Sequence, residues 1–334
     1  MPLNVLVTAA SRRVALVQGF QRALAARGGG RVVVTDINPL SPAVHVADGA
    51  YLVPLSDDPE YLDVIAGICE AEQVGLVVPT IDDELERFAA AREDFAARGV
   101  LVAVSPTETA ALCNDKFATC THLRAAGLAA AATWLPDDLP ARPGFPLFVK
   151  PRVGRGGVGA FRARSPRELA FFLEYVRNPI VQEYLNGPEF TIDLLCDFDG
   201  RPISVVPRER VVIRAGVIDR GRTVNDPALI ELALACARTL RFAGAVNIQC
   251  RMVDGVPVIF EINPRFSGGI PLTMAAGADF PGMLVALASG ERVEPAIGEF
   301  ESGFWMTSYE TAIFLDNDRI TALRAAAARL EEVA

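Results

Sequence analysis

The first hundred residues alternate short, wholly apolar runs with longer amphipathic ones, and few folds accept that rhythm. The runs fall at residues 5–9, 32–35, 51–54, 76–79 and 101–104. Each suits a strand buried on both faces, and the segments between them are long enough for helices, which predicts a parallel sheet covered by helices. Residues 1–112 are therefore expected to form a doubly wound unit, with Ser11 capping its first helix and Ser105, followed by Pro106, opening another. A dinucleotide site after the first strand would need glycines. The residues there are Thr8, Ala9, Ala10, Ser11, Arg12 and Arg13, so Asp36 at the end of the second strand lacks the loop that a pyrophosphate requires.

Composition narrows the partners. The chain is 51% apolar and 22% charged, with a formal charge of -9, which suits a folded protein and disfavours a long basic stripe for nucleic acid. Small anionic ligands stay open, because a cleft can concentrate arginine and lysine locally. The most membrane-like stretch, residues 266–290, contains Pro271, Asp279 and Pro281 as well as several glycines, and reads as loop plus buried helices. At the N-terminus Arg12 and Arg13 follow the apolar run instead of preceding it, which marks a first strand and not a signal peptide. The cysteines Cys69, Cys113, Cys120, Cys196, Cys236 and Cys250 form no CxxC pair and are expected to be reduced core thiols of a cytoplasmic protein. His45 and His122 have no ligand-like spacing, which argues against zinc or a histidine triad. Trp134, Trp305, Phe171, Phe172 and Tyr175 are read as packing residues, the last three from their helical spacing.

Beyond Asn114 the texture changes to a helix, a turn-rich stretch at 136–146, strand pairs with glycine turns and a second helix over 226–240, which predicts α+β structure with antiparallel sheet. Three segments there carry chemistry. At 147–159 a strand ends in Lys150 and runs into a loop containing Gly154, Gly156, Gly157 and Gly159. Glycine lets backbone N–H groups crowd an anion, and Lys150 adds a point charge; a plain glycine-rich hairpin is the alternative reading. At 181–193, Gln182, Glu183, Tyr184 and Leu185 close one strand before Gly187, Pro188 and Glu189 turn into the next.

The third segment, 247–265, reads as a hairpin. A three-residue loop of Val253, Asp254 and Gly255 would place Asn247, Gln249, Arg251, Glu261 and Asn263 on one face. Val246, Ile248, Cys250, Met252, Val258, Phe260 and Ile262 would then share the other. A two-residue turn would mix the faces. Gln249, Glu261 and Asn263 then offer three oxygen donors on one patch, suited to Mg²⁺ shared with nucleotide phosphates. Arg265 follows directly, ahead of Ser267, Gly268 and Gly269.

In this order the motifs make the chain resemble the ATP-grasp superfamily, in its carbamoyl-phosphate-synthetase-like branch of carboxylate–amine ligases. They are Asn114-Asp115-Lys116-Phe117, Phe148-Val149-Lys150-Pro151 with its glycine loop, Gln182 to Glu189, Gln249, and Glu261-Ile262-Asn263-Pro264-Arg265. The resemblance spans roughly residues 4–290. It implies a pre-ATP-grasp domain of doubly wound parallel sheet at 1–112 and a two-lobed ATP-grasp domain. The small lobe would span 113–185, and the large lobe with its C-terminal segment 186–334.

By the same resemblance Lys116 and Lys150 hold the phosphates of ATP, and Gly156 and Gly157 close over them. Glu183 and the backbone to Leu185 meet adenine, and Glu189 bonds the ribose. Gln249, Glu261 and Asn263 hold Mg²⁺, or Mn²⁺ in its place. Arg265 and Lys150 act on the transferred phosphoryl group, and Arg208, Arg210 and Arg214 line the acceptor side, Arg214 with a catalytic role. The implied reaction activates a carboxylate as an acyl phosphate and joins it to an amine, releasing ADP and phosphate. The expected partners are a small carboxylate and an amine, with no nucleic acid and no membrane, and a homodimer is the default assembly. Two other readings are an amidating subunit that takes ammonia from a separate glutaminase, and a nucleotide-binding scaffold without turnover.

Overall fold

The computed structural model describes residues 2–154 and 156–331, and side chains as far as residue 325. The predicted parallel sheet is present, with strands β1 (Asn4–Val7), β2 (Val32–Asp36), β3 (Gly49–Leu52), β4 (Val74–Val78) and β5 (Leu101–Val102). Their order is β3-β2-β1-β4-β5, all parallel. Helices α1 (Val14–Ala25), α2 (Tyr61–Ala71), α3 (Asp82–Ala90) and α4 (Arg92–Ala97) cover it. Chain order reverses between β1 and β4, so the loops after these two strands diverge and leave a crevice at their carboxyl ends.

Both expected serine caps are corrected. Helix α1 starts after Arg13. Ser11 lies upstream in a left-handed conformation (φ 45°), its backbone N–H donating to Asp36 Oδ2 at 2.7 Å. Asp36 also accepts from the Asn38 N–H at 2.9 Å, so this buried acid ties down the loop it was compared with a ribose ligand for. Helix α5 (Thr107–Asn114) starts after Pro106, and the buried Ser105 hydroxyl accepts from the Ala243 N–H at 3.1 Å, linking two domains. Its neighbour α6 (Lys116–Ala125) does carry a side-chain cap. Asp115 accepts from the N–H groups of Phe117 and Ala118, an arrangement worth about 1 kcal/mol.

A four-stranded sheet follows, ordered β6-β9-β7-β8, from β6 (Thr133–Trp134), β7 (Leu147–Pro151), β8 (Phe161–Ala163) and β9 (Pro179–Glu183), with α7 (Pro166–Tyr175) on one face. Only one face of α7 is buried. Leu169 and the ring of Phe172 face the sheet, whereas Phe171 and Tyr175 are 58% and 66% exposed and stack on each other, against the expectation of core. Helical spacing put the three rings close together without saying how many of them the small sheet could cover.

The large antiparallel sheet runs β14-β13-β10-β11-β12-β16. Its strands are β10 (Glu189–Cys196), β11 (Pro202–Arg214), β12 (Val217–Thr223), β13 (Gly244–Val253), β14 (Val256–Asn263) and β16 (Trp305–Thr307), and β15 (Ala296–Ile297) lies beside β11. Helix α8 (Pro227–Thr239) and helices α5 and α6 share an apolar core with it through Leu229, Leu232, Cys113 and Cys120. Helices α9 (Ile270–Ala275) and α10 (Phe280–Ala288) lie in the former membrane-like stretch and pack against α1, with Phe20 edge-on to Phe266 at 6.0 Å. The last helix is α11 (Asn317–Glu331). Trp305 is 59% exposed beneath the Arg222 guanidinium, where packing was expected. All six cysteines are buried and free. Among the described residues, no helix is long and apolar enough to cross a membrane.

Candidate active site

The hairpin of β13 and β14 turns differently from expectation yet pairs the expected residues. Asp254 and Gly255 alone make the turn, both left-handed (φ 49° and 81°), which is the two-residue Asp-Gly geometry that matches strand twist. Such a turn would have split Gln249 from Glu261. A bulge at Phe260 absorbs one residue and restores the pairs Gln249↔Glu261 and Asn247↔Asn263. The apolar face is corrected accordingly: Ile259 and Ile262 enter the core, while Phe260 turns into the cleft.

The bulged carbonyl is put to use. Phe260 O accepts from Lys150 Nζ at 3.1 Å and from the Cys120 thiol at 3.9 Å. Lys150 is 5% exposed. Burial pushes its pKa below the usual lysine value, and the nearby Glu261 carboxylate opposes that shift. Lys116, at the start of α6, is also buried and donates to the Gly154 carbonyl at the head of the glycine loop. Asp115 fixes this corner by capping α6 while pairing with Arg152 at 2.6 Å. Gly154, Gly156, Gly157 and Gly159 all take positive φ, which leaves the loop backbone free of side-chain obstruction.

These groups open onto one cleft of about 900 Å³ between the small and large sheets. Glu183 and Leu185 line one side. Glu183 Oε1 accepts from the Ala132 N–H at 2.7 Å, and Leu185 is buried. Glu189 is clamped by two arginines, Arg210 at 2.7 Å and Arg251. Gln249, Glu261 and Asn263 line the floor, with Asn263 Oδ1 accepting from Arg265 at 3.2 Å. Glu189, which lines the cleft, and the buried Asp193 lie four residues apart on one face of β10, about 13 Å along the strand.

At the Asp193 end stands Arg265, held bidentately by Asp82 of α3 at 2.6 and 3.0 Å. This pair spans 183 residues of sequence and joins the N-terminal domain to the cleft. No local signal foretold it, because Asp82 opens α3 and its partner lies far along the chain. Arg13 reaches in from the β1–α1 loop, donating to Thr80 O at 2.6 Å and Phe266 O at 3.4 Å. Arg208 is 1% exposed and bidentate to Asp193, a partner not singled out from sequence. Arg214 behaves differently. Its side chain is 66% exposed, pairs with Asp219 and Glu310, and lies outside the cleft lining, although Ile213 and Ala215 on either side of it belong to that lining, because β11 shifts register after Arg210 and so turns Ile213 to the cleft in place of Arg214.

Among the described residues no group of three His, Cys, Asp or Glu side chains converges on a metal position. The donor set here is one carboxylate, Glu261, with the amides of Gln249 and Asn263. That composition fits a hard divalent cation drawing most of its ligands from phosphate and water, and not a metal held by protein alone.

Residues 5–103 match the family model described as the PylC-like N-terminal domain, and residues 176–312 match ATP-grasp in the biosynthetic pathway with Ter operon. The carbamoyl phosphate synthase large chain of Thermoanaerobacter pseudethanolicus is 24% identical over 196 residues, which is 53% of this chain and 18% of that protein. The chain thus spans under a fifth of that relative's length. Among solved structures, biotin carboxylase from Campylobacter jejuni in its β,γ-ATP complex superposes with a TM-score of 0.72 at 16% identity, covering 90% of this chain and 73% of that one. L-amino acid ligase from Bacillus licheniformis gives 0.70 at 19% identity, covering 90% and 77%.

Proposed function

Because the chain carries a PylC-like N-terminal domain followed by an ATP-grasp domain, we propose that its cleft binds MgATP and ligates a carboxylate to an amine, with release of ADP and phosphate. The observation that carries this reading is the meeting of two buried lysines, an oxygen-donor hairpin and a pinned arginine in a single cleft. Lys116 and Lys150 take the phosphate chain, and the loop of Gly156 and Gly157 lies over it. Glu183, Leu185 and Glu189 receive the nucleoside. Gln249, Glu261 and Asn263 would hold Mg²⁺, or Mn²⁺, which when bound neutralises charge on the phosphate oxygens.

The acceptor carboxylate oxygen attacks the γ-phosphorus, the bond to the β,γ-bridging oxygen breaks, and ADP leaves. Arg265 faces the transferred group, where its charge offsets that of the equatorial oxygens. The amine then attacks the acyl carbon, phosphate leaves, and the amine proton passes to solvent. No protein nucleophile is needed, which suits a site of lysines and arginines that works by positioning. Six buried, free thiols also suit a reducing, cytoplasmic setting.

The test is phosphate release from MgATP over a grid of carboxylic acids and amines, ammonium included. Turnover should require an acid, and Lys150→Ala should lose it by orders of magnitude while keeping the wild-type circular dichroism spectrum. Hydroxylamine should trap a hydroxamate. Strong turnover with ammonium alone as amine would favour the amidating-subunit reading. Nucleotide binding without ADP or hydroxamate anywhere on the grid would refute ligation.

A further inference from the structure

The hairpin of β11 and β12 ends in a two-residue turn, Ala215 and Gly216, both left-handed (φ 48° and 75°). Strand β16 pairs with β12 at Arg220, Gly221 and Arg222, short of that turn. Between the two places the ladder shifts register on either side of Val212, a break at which a hairpin end can bend.

The turn reaches the glycine loop at the mouth of the cleft. A Cβ on Gly216 would lie 2.7 Å from the Gly156 carbonyl oxygen and 2.9 Å from its Cα, so the two backbones touch and a side chain at 216 has no room. Gly156 lies between β7 and β8 of the small sheet and Gly216 between two strands of the large one, so the contact joins the two sheets. Gly156, Val158, Ile213, Ala215 and Gly216 all line the cleft.

Arg210 fixes where the turn sits. Its Nη2 donates to the Gly216 carbonyl at 2.6 Å, and its Nη1 donates to Glu189 Oε1 at 2.7 Å. A guanidinium is planar and rigid, so neither bond can move far without disturbing the other. Arg251 donates to the second oxygen of Glu189. Arg210 was expected on the acceptor side, and its partner Glu189 puts it at the nucleoside end instead. An ionised carboxylate offers about four acceptor positions, so Glu189 can take ribose hydroxyls without releasing either arginine.

Resting on the nucleotide reading of the cleft, we propose that Arg210 is a positioning residue that ties ribose recognition to closure of the cleft mouth. Glu189, when it accepts from the ribose, is held in register with Arg210. Arg210 holds the Gly216 turn, and the turn holds the glycine loop down. A nucleotide without ribose hydroxyls leaves that seal looser, and with it the exclusion of water from the phosphoryl group.

The experiment is hydrogen exchange of the full chain, read by mass spectrometry over residues 156–160, with MgADP and with the magnesium complex of 2′,3′-dideoxy-ADP, each at saturation set by calorimetry. In the wild type MgADP should slow exchange of this segment about tenfold or more, and dideoxy-ADP should slow it about threefold less. In Arg210→Gln and in Gly216→Ala the two nucleotides should give the same exchange, and Arg210→Lys should recover part of the difference. Loss of fold alone would not equalise them. Arg220→Gln, on the same hairpin and outside the cleft lining, should keep the wild-type difference. Equal exchange under the two nucleotides in the wild type, including no slowing by either, would overturn the proposal whatever the variants do, as would a full difference in Arg210→Gln. Failure of MgADP to bind at all would instead bring down the nucleotide reading.

Discussion

Replacing Asp82 by alanine probes the joint between the N-terminal domain and the cleft. The wild-type pair makes two charge-assisted hydrogen bonds, at 2.6 and 3.0 Å, and both side chains are 13% exposed. Breaking a fully buried pair costs about 3–5 kcal/mol. Residual exposure, together with the Asn263 and Phe266 oxygens that Arg265 keeps as partners, lowers the expected loss to about 2–3 kcal/mol. The freed guanidinium should also drift from the phosphoryl position, and an ångström of misplacement costs about a hundredfold in rate. Urea unfolding should therefore show the stability loss, and phosphate release should show kcat down about tenfold to a hundredfold with KM for ATP nearly unchanged. A double-mutant cycle with Arg265→Met separates the pair from its surroundings and should return a coupling near 2 kcal/mol. Additivity of the two substitutions, within about 0.5 kcal/mol, would refute the reasoning.

Other perturbations follow from the same contacts. Burial raises the pKa of Glu84, against the hydrogen bonds from Tyr61, Thr80 and Thr8. With the folded value raised, its contribution to stability is full below the unfolded pKa of about 4.3 and is lost as pH rises through the folded value. Glu84→Gln should therefore flatten the decline in unfolding free energy as pH rises above the unfolded value, and an unchanged slope would count against this account. In Gly187→Ala the new Cβ would meet the Met252 carbonyl oxygen at 1.9 Å, so a loss of about 2–3 kcal/mol in thermal or urea unfolding is expected, together with weaker nucleotide binding beside Glu189. Because Phe171 and Tyr175 are mostly exposed, serine at both positions should change stability by less than one buried phenylalanine would, under about 1 kcal/mol by calorimetry. Lys150→Gln removes a charge that Glu261 helps to retain, and fluorescent ADP titration should show at least a tenfold weaker Kd.

What the sequence determined by itself was local. The five short apolar runs are the five parallel strands, Asp115 and Lys116 start a helix, and Lys150 ends a strand before its glycine loop, because strand period, capping and turn chemistry act over a few residues. The pairing of Gln249 with Glu261 was also legible, since burial permits only one arrangement of faces. The route to it was not: Asp-Gly took its preferred two-residue turn, and the bulge at Phe260 corrected the parity, with its carbonyl bonded to Lys150. Tertiary structure alone decided which charges meet. Asp82 and Arg265 pair across 183 residues, Arg13 enters the cleft from another domain, and Arg214 stays outside it although its strand neighbours Arg208 and Arg210 line it. Nothing in a residue's own neighbourhood encodes such meetings, because an ion pair is set by the packing of whole domains, whereas periodicity and turn preference are properties of a single turn or strand.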